Sequence, residues 1–284
     1  MFQNSGIDGS SNIGSWDTSN VENMGNLFQN ADSFNPTNLG NWDVGNVTTF
    51  HSMFESTATF NDASINNWNI GENTGTSAIL MTEMFNAAIG FNSTLNGWET
   101  NADSTMAYVS NVASMFLNAR NFNGAIGAWN VGRVTSFSQM FLRTTSTLAF
   151  NNGDSAGVAG TGLQNWSIGV NTTGPITMYR MFEHADSFNQ TLEGWERPAG
   201  TLSPTDPGST MQYVTSTELM FRNADLFNGR VDTWDLSRTT NFLGMFLRDS
   251  GPTAFNNGDP IGETGTNLID WNLGANLALS LIHI

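Results

Sequence analysis

The chain of 284 residues has no cysteine and no lysine, and only three tyrosines and seven prolines. Without cysteine there is neither a disulfide framework nor a thiolate metal site. Without lysine, the glycine-rich stretches cannot form a phosphate loop of the usual kind. Charged residues make up 12% of the chain, about half the usual share of a soluble domain, which rules out a coiled coil. No apolar run approaches the roughly 18 residues of a membrane-spanning helix, so no membrane insertion is expected. Positive charge is scarcest: nine arginines stand against 25 acidic residues, for a net charge of −16. Such a chain repels phosphate backbones and anionic lipid surfaces, so a nucleic-acid partner is not expected. A body this acidic is best tolerated where salt screens it, the Debye length falling to about 3 Å at 1 M. A saline habitat and a merely soluble acidic surface account for the charge equally well.

Asparagine and glycine fill the gap, with 37 and 29 copies, and aromatic residues reach 11%. That aromatic content argues against simple disorder. The aromatic residues recur in register. Tryptophan stands at 16, 42, 68, 98, 129, 166, 195, 234 and 271, at gaps of 26 to 39 residues. Between them falls a Met-Phe pair, at Met53-Phe54, Met84-Phe85, Met115-Phe116, Met140-Phe141, Met181-Phe182, Met220-Phe221 and Met245-Phe246, with Leu27-Phe28 in the same slot. A Phe-Asn pair follows, from Phe34-Asn35 and Phe60-Asn61 to Phe227-Asn228 and Phe255-Asn256. The two phenylalanines are six residues apart in six units and nine in two. A unit of about 26 residues cannot bury its own apolar side, whereas stacked units cover one another. One buried Trp contributes on the order of 4–6 kcal/mol as an upper bound.

Val47, Phe50, Met53-Phe54 and Ala58 lie near the spacing of one helical face, as do Val21, Met24, Leu27-Phe28 and Ala31. This spacing predicts a helix of two to three turns in each unit, with Asn20 and Asn46 as N-caps. The stretch from Phe60 through Ile65 to Trp68 reads as a short extended segment that pairs with its neighbours. The expected fold is therefore an α/β repeat solenoid, leucine-rich-repeat-like, of about eight to nine coils, each a short helix plus a short extended or β segment. A longer period overlies the short one. The tract Trp129–Phe141 returns as Trp234–Phe246, 105 residues later, and Ser104–Ser110 resembles Ser209–Thr215. Three unit types rotate, and their inserts are expected on one side of the stack every third coil.

The pattern Trp-Asp-x-Ser/Gly-Asn-Val, then Met-Phe, then Phe-Asn, carried by Trp16–Val21, Trp42–Val47 and the pairs above, resembles the BspA-like leucine-rich-repeat surface proteins. It resembles above all their lipoprotein-associated repeat of unknown function. The likeness covers essentially residues 1–273. It implies an extracellular or cell-surface scaffold for adhesion or for binding protein or glycan, with no catalytic residues to carry over. The long inserts Gly71–Ala78, Asp154–Gly162 and Pro198–Ser209 depart from the pattern. Residues 1–278 read as a single repeat solenoid, a fragment of a longer array without visible caps, in which Met1-Phe2 fills a Met-Phe slot. Residues 279–284 fit no repeat and read as a translated sequencing adapter.

Other features point to structure before chemistry. The Asn after each Phe is expected to be a buried turn residue that satisfies the backbone of the next coil. The Trp row is expected in the core and not on a sugar-stacking platform. Asn151–Asp154 and Asn256–Asp259 read as Asn-Gly turns, with calcium loops the alternative. His51, His184 and His283 sit at different unit positions, so neither a zinc site nor a Ser-His-Asp set is expected. Asp17, Asp43 and Asp235 are repeat positions that follow Trp, and no carboxylate pair stands out as a hydrolase's. Sequons include those at Asn46, Asn165 and Asn171. The chain is thus expected to be no enzyme, to need no cofactor or metal, and to have binding residues that the sequence does not reveal. A polysaccharide- or ice-binding surface, or an accessory module of a larger enzyme, is the alternative. Against an ice plane, the Thr residues hold no single unit position.

Overall fold

A computed structural model describes residues 2–9, 12–144, 150–172, 174–203, 206–249 and 255. Regular elements are few and short. Two parallel strand pairs, β1 Ile79–Leu80 with β2 Val109–Asn111 and β3 Ile176–Thr177 with β4 Val214–Ser216, join units that are neighbours in sequence. Single parallel bridges extend them. The line runs Asn23, Thr49, Leu80, Asn111, Ser136, Thr177, Ser216, Asn241, one residue per unit.

The Met-Phe segment is not the helix that its spacing predicts. It is a run of tight turns. Phe50, Ser52, Phe54 and Ser56 donate their N–H groups to Leu80, Thr82, Met84 and Asn86 of the following unit, at 2.7–3.0 Å. The residues between them turn inward: Met53 donates to Phe50, Glu55 to Ser52 and Thr57 to Phe54. A helix would consume every one of these groups within the segment and leave none for a neighbour. Ser52 and Ser56 also carry φ of 51° and 55°, which no right-handed helix accepts. The same left-handed pair recurs at Asn26 and Asn30, Glu83 and Ala87, Ser114 and Asn118, Arg180 and His184, and Leu219 and Asn223. Turns three to four residues long put apolar side chains inward at nearly the helical spacing, which is why the two are alike in sequence.

Two further expectations change with it. Asn46 caps no helix: its Nδ2 donates to the Ser19 carbonyl at 2.6 Å, while Asn20 reaches only the Ser19 hydroxyl at 3.4 Å. The stretch before Trp16, Trp42, Trp68 and Trp166 is not extended but holds a 3-10 turn, at Ile13–Ser15, Leu39–Asn41, Ala63–Asn67 and Gly162–Asn165. The lateral pairing occurs mostly between Trp and Met-Phe, and the stretch before Trp contributes the single bridge of Gly160 with Gln190. The one α-helix among the described residues is the single turn Gly97–Thr100.

The core is three columns of rings. Phe28, Phe54, Phe85, Phe116, Phe141, Phe182, Phe221 and Phe246 follow one another at centroid spacings of 5.3–5.8 Å. The Phe-Asn phenylalanines form a second column, and each lies 3.8–4.1 Å from its partner of the same unit. Phe2 stacks on Phe28 and so occupies the first column. Tryptophan makes a third, broken column: Trp16–Trp42, Trp68–Trp98–Trp129 and Trp166–Trp195–Trp234 stack in turn, and Phe50 and Phe137 stack on Trp68 and Trp166 at the breaks. Trp42 through Trp234 are buried, and Trp16 is 40% exposed. A buried indole N–H must find an acceptor. Each one does so in the same way: Trp68 Nε1 donates to Leu39, Trp98 to Ile65, Trp129 to Leu95 and Trp195 to Leu163, at 2.7–2.8 Å. The acceptor always stands three residues before the preceding Trp, so this bond fixes the register of unit against unit.

Among the buried charged side chains, which include Asp62, Glu183, Arg197 and Asp232, the most enclosed is Arg143. Arg143 is fully buried, donates to the Phe116 carbonyl at 2.6 Å, and forms no ion pair among the described residues. Burial pulls its guanidinium down to about 9. Trp271, His283, Asn256–Asp259 and residues 279–284 lie outside the described residues.

Candidate interaction surfaces

The residues singled out in the sequence go to different places. The Trp row from Trp42 to Trp234 is buried and presents no ring face to a ligand. The Asn of each Phe-Asn pair forms a ladder. Asn61 donates its N–H to Asn35 Oδ1, Asn92 to Asn61, Asn123 to Asn92, Asn151 to Asn123, Asn189 to Asn151 and Asn228 to Asn189, at 2.6–2.9 Å. These side chains satisfy a backbone group of the next unit, yet Asn35, Asn61 and Asn92 are exposed, not buried. Asn151–Asp154 closes with Asp154 N–H on the Asn151 carbonyl, and Asn152 and Gly153 have φ of 53° and 88°. Positive φ at both central positions is the type I′ turn that Asn-Gly favours. Asn151 is itself occupied: its amide donates to Ser155 and Val158 and accepts from Gln190.

His51 and His184 stand four units apart. His51 comes nearest to a catalytic set, with Ser52 Oγ 3.4 Å from its Nε2 and Glu83 beside them. The order is wrong for a relay. Glu83 accepts from the serine at 3.2 Å, while His51 Nδ1 faces Thr82 Oγ1 at 2.7 Å. The acid therefore does not orient the imidazole, and Ser52 is 1% exposed. Among the described residues no three His, Asp or Glu gather as a metal site.

The carboxylates after Trp serve the backbone. Asp17 accepts from the Ser19 N–H and hydroxyl, which hold its carboxyl below the usual range. Asp43 Oδ1 accepts from Gly45 N–H and Asn69 Nδ2. After Trp98 and Trp195 Glu takes this position and reaches further. Glu99 Oε2 accepts from Met106 N–H at 2.7 Å and Asn130 N–H at 3.3 Å. Glu196 does the same with Met211 and Asp235, at 2.8 and 3.3 Å. Burial raises both carboxyls and outweighs these bonds.

The insert side repeats with the 105-residue period. Arg133 lies over the Tyr108 ring at 5.8 Å, and Arg238 over Tyr213 at 5.2 Å. Gly71 and Gly169 take φ of 76° and 71° beneath these rings, and a Cβ would come within 2.8 Å of a carbonyl at either position. Beside Tyr213 opens a cavity of about 450 Å³, lined also by Gly169, Asn171, Arg197, Gly208 and Thr210. Its arginine is engaged: Arg197 pairs with Asp206 at 3.1 Å and donates to the Trp166 carbonyl and the Ser167 hydroxyl. Arg197 thereby holds the Asp206 carboxyl at about 2.

A family model described as a Mycoplasma protein of unknown function, DUF285, matches residues 1–109, 103–201 and 209–273. The chain belongs to this family. The three successive matches support a repeat protein. No curated protein and no solved structure matches the chain. Among its described residues no helix is long and apolar enough to cross a membrane.

The other surface was not foreseen in the sequence. It is the outward row along the bridge line, where short polar side chains follow one another: Asn23, Thr49, Asn111, Ser136, Thr177, Ser216 and Asn241. The signal was available. Each of these residues stands four positions before the Met of Met-Phe, or before Leu27 in the first full unit. Counting from Trp hides the row, because the inserts fall in between.

Proposed function

We propose that this chain is a non-catalytic interaction scaffold, a leucine-rich-repeat-like solenoid that acts at the cell surface or outside the cell and is akin to the BspA-like surface proteins. The partners are protein or glycan, held on the faces and the insert loops. The observation that carries the reading is how the aromatic and polar residues are divided. Nearly all the large rings are in the columns of the core, while the outward positions carry short polar side chains and inserts that repeat from unit to unit. Such an arrangement offers the same contact several times, and repeated weak contacts add up by effective concentration. The acidic charge argues against nucleic acid as the partner.

The test has two arms. Antibody raised against the chain should label intact cells of the source organism, and label only permeabilised cells if the reading is wrong. Incubated with panels of matrix proteins and glycans, the chain should be retained on a partner without cleaving it. Release of products from any panel member would replace the scaffold with an enzyme.

A further inference from the structure

The row along the bridge line is double. In five units two outward residues stand side by side: Thr48-Thr49, Ser110-Asn111, Thr135-Ser136, Thr215-Ser216 and Thr240-Asn241. In four of these pairs, all but Thr135-Ser136, the two members have opposite hydrogen-bonding characters.

The first member donates inward. Thr48 Oγ1 gives its proton to the Glu22 carbonyl, Ser110 to Ile79, Thr135 to Ser110, Thr215 to Ile176 and Thr240 to Thr215, at 3.2–3.4 Å. Each hydroxyl is thus fixed in rotation, and the oxygen keeps its two lone pairs as acceptors. The second member accepts inward. Asn23, Thr49, Asn111, Thr177, Ser216 and Asn241 each take the N–H two residues on, at 2.8–3.4 Å. These are the local turns that such side chains form. They leave the hydroxyl proton of Thr49 and Ser216, and the amide protons of Asn23 and Asn111, without an acceptor among the described residues. Acceptors in five units therefore run beside free donors in four, while Asn241 Nδ2 donates to Glu218 and Thr177 Oγ1 meets Ser138 Oγ. Successive units are about 4.8 Å apart along a parallel ladder, so the eight units from Asn23 to Asn241 span roughly 34 Å.

We propose that this face binds a neutral, extended polysaccharide laid along the axis of the units. Sugar hydroxyls both donate and accept, which suits paired lines of acceptors and donors. The row itself is uncharged from Thr48 to Asn241, and the acidity of the whole chain disfavours an anionic glycan. The rotors are already ordered, which lowers the entropy cost of binding. The interruptions argue the same way. In the third and sixth full units the pair shrinks to one residue, and Leu80 (41% exposed) and Tyr179 offer apolar surface there, as does Leu243 (54% exposed) further on. Such patches suit the C–H faces of sugar rings, whereas a regular ice plane would meet a break in every third unit.

This inference rests on the scaffold reading, and the experiment separates the two. The intact chain is mixed with microcrystalline cellulose, with chitin and with alginate, and the pelleted fraction is measured at 0.1 and 1 M salt. Ser136→Arg and Thr177→Arg place bulk and charge on the row, and Arg238→Ala alters the insert side. Thermal melting and circular dichroism establish that each variant is folded. The expected result is pelleting with cellulose or chitin, unchanged by salt, absent with alginate, lowered at least tenfold by either row variant and untouched by Arg238→Ala. No pelleting with either neutral polysaccharide overturns the inference. Pelleting that survives both row variants, or that salt abolishes, overturns it too. Ice shaping by the chain without polysaccharide binding would give the face a different partner. If binding to neutral polysaccharide is lost only in Arg238→Ala, the scaffold reading stands, the site belongs to the inserts and this inference fails.

Discussion

Replacing Ala87 with glycine distinguishes a turn from a helix by the sign of its effect. In a helix interior glycine is less favourable than alanine by about 0.8–1.0 kcal/mol. Ala87 instead has φ of 55°, and its N–H donates to the Leu117 carbonyl of the next unit at 2.7 Å. A left-handed alanine is strained by roughly 1–2 kcal/mol, and glycine removes that strain. The gain is offset by about 0.4–1 kcal/mol, because glycine makes the unfolded chain freer. Ala87→Gly is therefore expected to stabilise by about 0.5–1 kcal/mol. That corresponds to a rise of about 1–4 °C in melting temperature for a chain of this size class. The adjacent Ala88 is the control. It is fully buried under the phenylalanine columns and has no positive φ, so Ala88→Gly should destabilise. Melting followed by tryptophan fluorescence, with urea midpoints as a second measure, reads both. A loss of 1 kcal/mol or more in Ala87→Gly would refute the turn geometry and restore the helix.

Other outcomes follow from the columns and the ladder. Phe91→Ala, which empties a fully buried ring site, should cost about 3–5 kcal/mol in urea unfolding. Trp129→Phe keeps an aromatic ring but orphans the Leu95 carbonyl, and should cost about 2–4 kcal/mol in the same assay. Asn92→Ala removes the acceptor for Asn123 N–H at an exposed site where water can replace it, and should cost only about 0.5–1.5 kcal/mol. For Glu99 and Glu196 the folded pKa is raised, so the folded state holds the proton more tightly than the unfolded chain does. Their contribution to stability therefore grows as pH falls through the folded pKa, and is complete below the unfolded value. Glu99→Gln, which still offers an oxygen to Met106 N–H, should raise the melting temperature at pH 7, and the difference should vanish near pH 4. A Gln variant less stable than the parent at pH 7 would contradict this.

The repeat and its core were legible because rings are costly to expose and have to recur wherever the next unit needs covering. Trp42, Phe54 and Phe60 identify their columns from spacing alone. The path of the backbone between them was not legible. Val47, Phe50 and Met53-Phe54 satisfy a helical spacing, but where alternate N–H groups of this segment go depends on carbonyls about 30 residues away, and no local pattern reports them. The left-handed residues give little help, since serine, glutamate, alanine, arginine and leucine share positions with asparagine. Arg143 was equally hidden. It is buried in a unit whose two phenylalanines are nine residues apart, where the chain departs from the six-residue spacing. The double polar row went unseen because a search for threonine at one position overlooks that serine and asparagine make the same local turn. On the candidate surfaces, sequence located the inserts and the turn at Asn151–Asp154, while the exposure of Asn35, Asn61 and Asn92 came only with the structure.

Backbone hydrogen bonds join unit to unit through the Met-Phe segment. Scalar coupling across hydrogen bonds, read by NMR on the isotope-labelled chain, tests this directly at Ser52. Coupling of the Ser52 amide nitrogen to the Thr82 carbonyl carbon is the predicted result. Coupling to the carbonyl of Thr48, four residues back, would mean a helix and would contradict both the turns and the outward row built on them.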